Sequence, residues 1–221
     1  VYSQTAQEYF ERGNKKYQKD DFKGALLDLN KAIELNPNYA EAYNKKGTVL
    51  EFLEDYIGAF EDYNKALELD PNYANAYYNR GCLNYQSEKN EDALNDINKA
   101  IELKKNDSDF WYMRGLVKLR LGDHETVLSD LNKAIEINPK DPEYYKERGN
   151  ERDFNSDYKG ALFDFTKASI LDPKNSEYIY KRANMNFLLG NYKAAILDYN
   201  KAISIDPHYA LAYEGRASSK K

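Results

Sequence analysis

The chain has 221 residues, 42% of them hydrophobic and 31% charged, with 32 Lys and Arg against 37 Asp and Glu for a net charge of -5. That balance argues against a nucleic-acid partner, because phosphate binding needs a clustered excess of Lys and Arg, and no apolar run approaches the roughly eighteen residues of a membrane span. A lone cysteine, Cys82, excludes an internal disulfide framework.

Residues 1–5 are expected to form a disordered segment ahead of the first helix. Val1-Tyr2-Ser3-Gln4 also carries the small or modest side chains of a signal-peptide cleavage site. The location is periplasmic or secreted if Val1–Ser3 ends such a peptide, and cytoplasmic otherwise.

From Ala6 onward one register of 34 residues returns along the chain. Six units run 6–39, 40–73, 74–107, 108–141, 142–175 and 176–209, and 210–221 begins a seventh. In the second unit Tyr43, Gly47 and Leu50 share one face of a first helix, and Ala59, Phe60, Tyr63, Ala66 and Leu67 share one face of a second. Asp55 separates the two patterns. Pro71 ends the second, because proline lacks an N–H and biases Asp70 away from helical geometry. Each unit therefore reads as a helical hairpin. Units of this size cannot each close a core, so they must stack and offer an extended surface.

The columns are strict. The fourth place holds Tyr9, Tyr43, Tyr77, Trp111, Tyr145, Ile179 and Tyr213, and the eighth holds Gly13, Gly47, Gly81, Gly115, Gly149, Ala183 and Ala217. Ala32, Ala66, Ala100, Ala134, Ala168 and Ala202 fill the late alanine place. This signature of aromatic, glycine, alanine, aromatic and proline resembles the tetratricopeptide repeat, from about Ala6 to the C-terminus. The resemblance implies an all-α fold: an α-solenoid of antiparallel helical hairpins in a right-handed superhelix, with the seventh unit present as a C-terminal helix. The third unit departs from the pattern, carrying Lys105 where others have proline and Ser87-Glu88-Lys89-Asn90 at its turn. A longer or looser junction is expected there.

A charge ladder runs through the repeats. Arg12, Lys46, Arg80, Arg114, Arg148, Arg182 and Arg216 precede the small residue, and Asp28, Asp62, Asp96, Asp130, Asp164 and Asp198 occupy one place on the second helices. Bases and acids in phase are expected to pair within or between units as architecture.

The resemblance further implies that first helices line a concave groove. The places facing it hold Asn44, Thr48, Tyr78, Asn79, Tyr85, Tyr112, Leu116, Lys146, Asn150, Tyr180 and Asn184, which are the candidate peptide-binding residues. Asparagine both donates to and accepts from a peptide backbone, and tyrosine supplies contact area. Glu41, Glu143, Glu147, Asp153 and Glu177 make the rim acidic, favouring a neutral or basic segment. The chaperone-tail clamp of some relatives is incomplete: Lys146 and Asn150 match, but Lys181, Leu211 and Gly215 depart from it.

His124 and His208 lie at turns more than two units apart, without ligand spacing to cysteine or carboxylate. No catalytic, cofactor-binding or metal-binding residues are expected, and Cys82 is read as an inert thiol. The expected function is a protein-protein interaction scaffold holding an extended or helical peptide. The alternatives are the non-catalytic recognition region of a larger enzyme, a chaperone-tail-binding cochaperone, or self-association into a homo-oligomer.

Overall fold

The computed structural model describes residues 5–220. Among the described residues there are thirteen α-helices and no strand. They are α1 (Ala6–Tyr17), α2 (Phe22–Leu35), α3 (Ala40–Phe52), α4 (Tyr56–Leu69), α5 (Ala74–Gln86), α6 (Asn90–Leu103), α7 (Ser108–Leu121), α8 (His124–Ile137), α9 (Pro142–Phe154), α10 (Tyr158–Leu171), α11 (Ser176–Leu188), α12 (Tyr192–Ile205) and α13 (Ala210–Ser218). Contacts divide the chain into two units, one ending at Val117 and the other beginning at Lys118.

In the first unit α1/α2, α3/α4 and α5/α6 pack as pairs, and α2 and α4 pack on the first helix of the next pair. The second unit repeats the scheme with α9/α10 and α11/α12, linked by α8 to α9, α10 to α11 and α12 to α13. This is a helical solenoid, as the period requires. The disordered segment and the cleavage site expected at the N-terminus lie outside the described residues, except for Thr5. That residue caps α1: its hydroxyl accepts from the Glu8 N–H, and its own N–H donates to the Glu8 carboxylate at 2.8 Å.

Close helix approach depends on the small eighth-place residue. A Cβ added at Gly47 would lie 2.7 Å from the Tyr63 ring, and one at Gly149 would lie 2.8 Å from Phe165. Around these contacts the core is built of buried alanines and one large residue per second helix, Leu29, Tyr63, Ile97, Leu131, Phe165 and Tyr199.

The hairpin turns share one geometry. Asp20, Glu54, Glu88, Gly122, Ser156 and Gly190 occupy the same place in the repeat, and all have positive φ. Asp21, Asp55, Asp123 and Asp157 then cap the second helices through their carboxylates.

The third repeat corrects an expectation. Its turn and its junction with α7 are no longer than those of its neighbours. Although Lys105 replaces proline, its carbonyl accepts a 2.8 Å hydrogen bond from the Trp111 indole. The Tyr145 and Tyr213 hydroxyls likewise donate to the carbonyls of Pro139 and Pro207. In these three repeats the fourth-place aromatic ties down the preceding loop whether or not that loop holds proline.

Candidate functional site

The charge ladder is the frame on which the first helices hang. Arg80 donates from Nε and Nη2 to Asp96 at 2.9 and 2.6 Å, and Arg148 and Arg182 grip Asp164 and Asp198 in the same way. Arg12 makes both contacts with Asp28, whose carboxyl it holds below the usual range. Lys46 reaches Asp62 with a single bond of 3.0 Å.

Sequence reasoning missed the third arm of this device. The remaining arginine nitrogen crosses to the preceding repeat, where an asparagine accepts it: Arg80 to Asn64, Arg114 to Asn98, Arg148 to Asn132 and Arg216 to Asn200, at 2.6 to 2.9 Å. The fifth repeat has Thr166 in that column. There Arg182 bonds instead to the hydroxyl of Ser169, which stands where the other repeats have Ile or Leu. The signal was present as a column of asparagines two residues beyond the aspartates.

On the first-helix face of the first unit, Asn44 and Thr48 from α3 and Tyr78 and Asn79 from α5 line one recess of about 290 Å3. Lys45, Asn75, Asp107, Asp109 and Phe110 complete it. Asn79 Nδ2 donates to Asn44 Oδ1 at 3.0 Å, so an amide pair bridges neighbouring first helices. Asn44 is 7% exposed and also faces the Tyr73 hydroxyl at 3.4 Å, which puts it at the back of the recess with Asn79 and the exposed Asn75 in front. Tyr78 stacks on Phe110 with ring centroids 4.8 Å apart. Burial lowers the pKa of Lys45, whose ammonium lies 4.5 Å from the Tyr17 ring centroid. The recess thus offers amides, one desolvated cation and two carboxylates around an aromatic wall.

The other predicted residues stand outside that recess. Tyr85 and Leu116 are half-buried against the cluster of Ile97, Ile101 and Phe110, and Tyr112 is half-buried on α7. In the second unit Lys146 is held by Glu143 and Glu147 at 2.5 and 2.9 Å, which raises its pKa against the opposing effect of burial. Asn150 donates to Glu147 at 3.1 Å. Tyr180 packs on Tyr199 and Tyr209, and Asn184 accepts from the Tyr199 hydroxyl at 2.7 Å.

One side chain differs from the surface role expected for it. His124 Nδ1 lies 3.1 Å from both oxygens of Glu151, a carboxylate only 3% exposed, while its ring stacks on Phe154. Cys82 is half-buried and packed on the α6/α7 cluster, and burial pushes its thiol up to about 12. Among the described residues no group of three or more His, Cys, Asp or Glu side chains could hold a metal ion, and no helix is long and apolar enough to cross a membrane.

Family models described as "TPR repeat" and "Tetratricopeptide repeat" match residues 13–51 and 53–87, 74–107 and 108–141, and 176–209. A search of curated proteins returns no match. Among solved structures the chain is similar to YrrB, described as a TPR protein with an unusual peptide-binding site, at 28% identity and a TM-score of 0.73 over 86% of this chain and 97% of that one. It is similar to MamA at 28% identity and 0.65, over 80% of this chain and 100% of that one. Its fold also matches PilF of Pseudomonas aeruginosa at 20% identity and 0.87, over 96% and 97%. With the repeat matched over most of its length, and its helices paired as the repeat demands, the chain belongs to the tetratricopeptide-repeat family of protein-interaction scaffolds.

Proposed function

We propose that the first-helix face of the first unit binds an extended, neutral or basic peptide segment of a partner protein, anchored in the recess of Asn75, Tyr78 and Asn79. The Asn44–Asn79 hydrogen bond carries this reading. An amide fixed by a buried neighbour keeps its outward donor or acceptor aimed without the entropy cost of ordering it on binding. Asp107 and Asp109 favour a basic side chain at one end, and Thr48 extends the polar wall. In the second unit the candidate residues Lys146, Asn150, Tyr180 and Asn184 are engaged with their own neighbours, so their part is to shape the face. Tyr112 and Tyr85 extend the aromatic wall beyond Tyr78, and Leu116 adds an aliphatic side chain to it.

The role is recognition, without chemistry of its own. Among the displaced titrating groups, Glu143 is held below its ordinary range by Lys146 and the Tyr178 hydroxyl despite burial, whereas burial itself shifts Lys45 and Cys82.

Selection of displayed peptides on the full chain tests the reading. Peptides selected on the native protein should lose at least tenfold in affinity on Asn79→Ala and on Tyr78→Ala plus Tyr112→Ala, with the helical circular dichroism unchanged. Equal affinity for native and variant proteins would place the binding face elsewhere.

A further inference from the structure

At the hairpin-turn edge two repeats share a ring stack that, among the described residues, Tyr56 and Tyr158 lack. The ring that opens a second helix stacks on a ring thirty residues later, at the end of the next first helix: Phe22 on Phe52 at 4.8 Å and 12°, and His124 on Phe154 at 4.4 Å and 20°. A ring five residues earlier gives a second partner, as in Tyr17 with Phe22 and Phe187 with Tyr192. Tyr56 opens α4 and occupies the same place. Its later counterpart is Gln86 and its earlier one is Glu51, which instead accepts from the Tyr63 hydroxyl. Among the described residues no ring stacks on Tyr56, which is 48% exposed.

The missing ring leaves a cleft. Tyr56, Ile57, Phe60, Leu83, Ser87 and Lys89 line a space of about 290 Å3, and it continues between Phe52, Tyr56 and Gln86. Leu83 in the lining is 3% exposed, whereas Phe52 and Ile57 stand 57% and 77% exposed. A dry cavity of about 150 Å3 already accepts benzene, so one aromatic side chain fits. Charge narrows the occupant further. Glu51 and Glu61 line the cleft, and the exposed Glu54 and Glu88 flank it at the two hairpin turns, against Lys89 as the one cation in the lining.

We propose that the cleft beside Tyr56 binds an aromatic side chain carried on a basic segment of a partner protein, the guest ring taking the place that Phe52 and Phe154 fill at the equivalent positions. This site lies on the turn edge and is independent of the first-helix face.

The probe is acetyl-Lys-Lys-Phe-Lys-Lys-amide, titrated into the full 15N-labelled chain and followed by amide chemical shifts, with the peptide carrying Ala for Phe as control. Shifts should concentrate at Tyr56, Leu83 and Ser87, and the Ala peptide should bind at least tenfold more weakly. Gln86→Phe, which supplies the missing ring, should abolish binding without lowering Tm. Tyr56→Ala, at an exposed position, should also abolish it, and Asn79→Ala should leave it unchanged. Equal binding of the two peptides, shifts centred on the first-helix face, or retained binding in both Gln86→Phe and Tyr56→Ala would overturn the proposal. So would self-association that Gln86→Phe removes while the peptide does not bind.

Discussion

Arg148 donates to Asp164 through Nε at 3.0 Å and Nη2 at 2.6 Å, where the aspartate has no exposure and the arginine 9%. Arg152 adds a third bond to the same carboxylate at 2.9 Å. Removing one member of a buried pair strands the other charge, which costs about 3–5 kcal/mol. Asp164→Ala is therefore expected to be strongly destabilising in urea unfolding. Asp96→Ala should cost less, because Arg80 is 23% exposed and can recover water. A loss in either variant no larger than that of an exposed alanine substitution would deny the ladder its structural role.

Lys46→Arg is expected to stabilise the protein. Asp62 receives one bond from Lys46, its buried Oδ2 has no partner, and burial raises its pKa. Other repeats supply a second donor to this aspartate, as Asn84 does for Asp96, but the equivalent residue here is Leu50. Arginine would bind both oxygens, for a gain of about 1–2 kcal/mol at neutral pH. The gain should vanish in acid, once the carboxyl is protonated, and a comparison of Tm at the two pH values reads it.

Glu54→Gly and Glu88→Gly should each raise stability modestly. Both glutamates sit at positive φ, 63° and 60°, where an L side chain crowds its own backbone and Gly122 and Gly190 relieve the same turn elsewhere. The left-handed region costs a non-glycine residue about 1–2 kcal/mol, partly offset by the greater freedom glycine loses on folding. A net gain of about 0.5–1 kcal/mol is expected in denaturant titrations. Asp20 should gain less, because aspartate tolerates the left-handed region better than glutamate.

Alkali should unfold the protein together with ionisation of its buried acids. Burial pushes Cys82 up from 9.0 to about 12 and Tyr199 from 10.0 to about 12, and it also raises Tyr63 and Tyr78. Each proton is released more easily from the unfolded chain, so this stability is fully present below the unfolded pKa and is lost as pH rises through the folded one. Phenolate absorbance and helical signal should change in one transition as the pH climbs through the range from about 10 to 12. The Cys82 thiol should resist alkylation at neutral pH until denaturant is added.

Most of what repeats in this chain was legible in its sequence. Tyr43, Gly47, Ala59 and Pro71 recur in phase, and period alone places them on paired helices. The arginine and aspartate columns were readable as partners for the same reason. The asparagine column of Asn64, Asn98 and Asn132 was overlooked, because an amide on a helix reads as solvated unless the crossing of the next repeat is known. The Asn44–Asn79 contact joins different places in successive repeats, so helix packing was needed to find it. His124 and Glu151 show the same limit, meeting across 27 residues at a turn. The Tyr56 cleft is the extreme case, since it arises from rings absent at Glu51 and Gln86.

Trp111, tied by its indole N–H to the Lys105 carbonyl, is the only tryptophan in the chain. Near the midpoint of the sequence, it provides an intrinsic fluorophore in a single repeat, while the tyrosines sample all of them. Linear arrays of repeats can fray from their ends, so circular dichroism should begin to fall before tryptophan emission shifts. The interval between the two signals would measure how tightly successive hairpins are coupled.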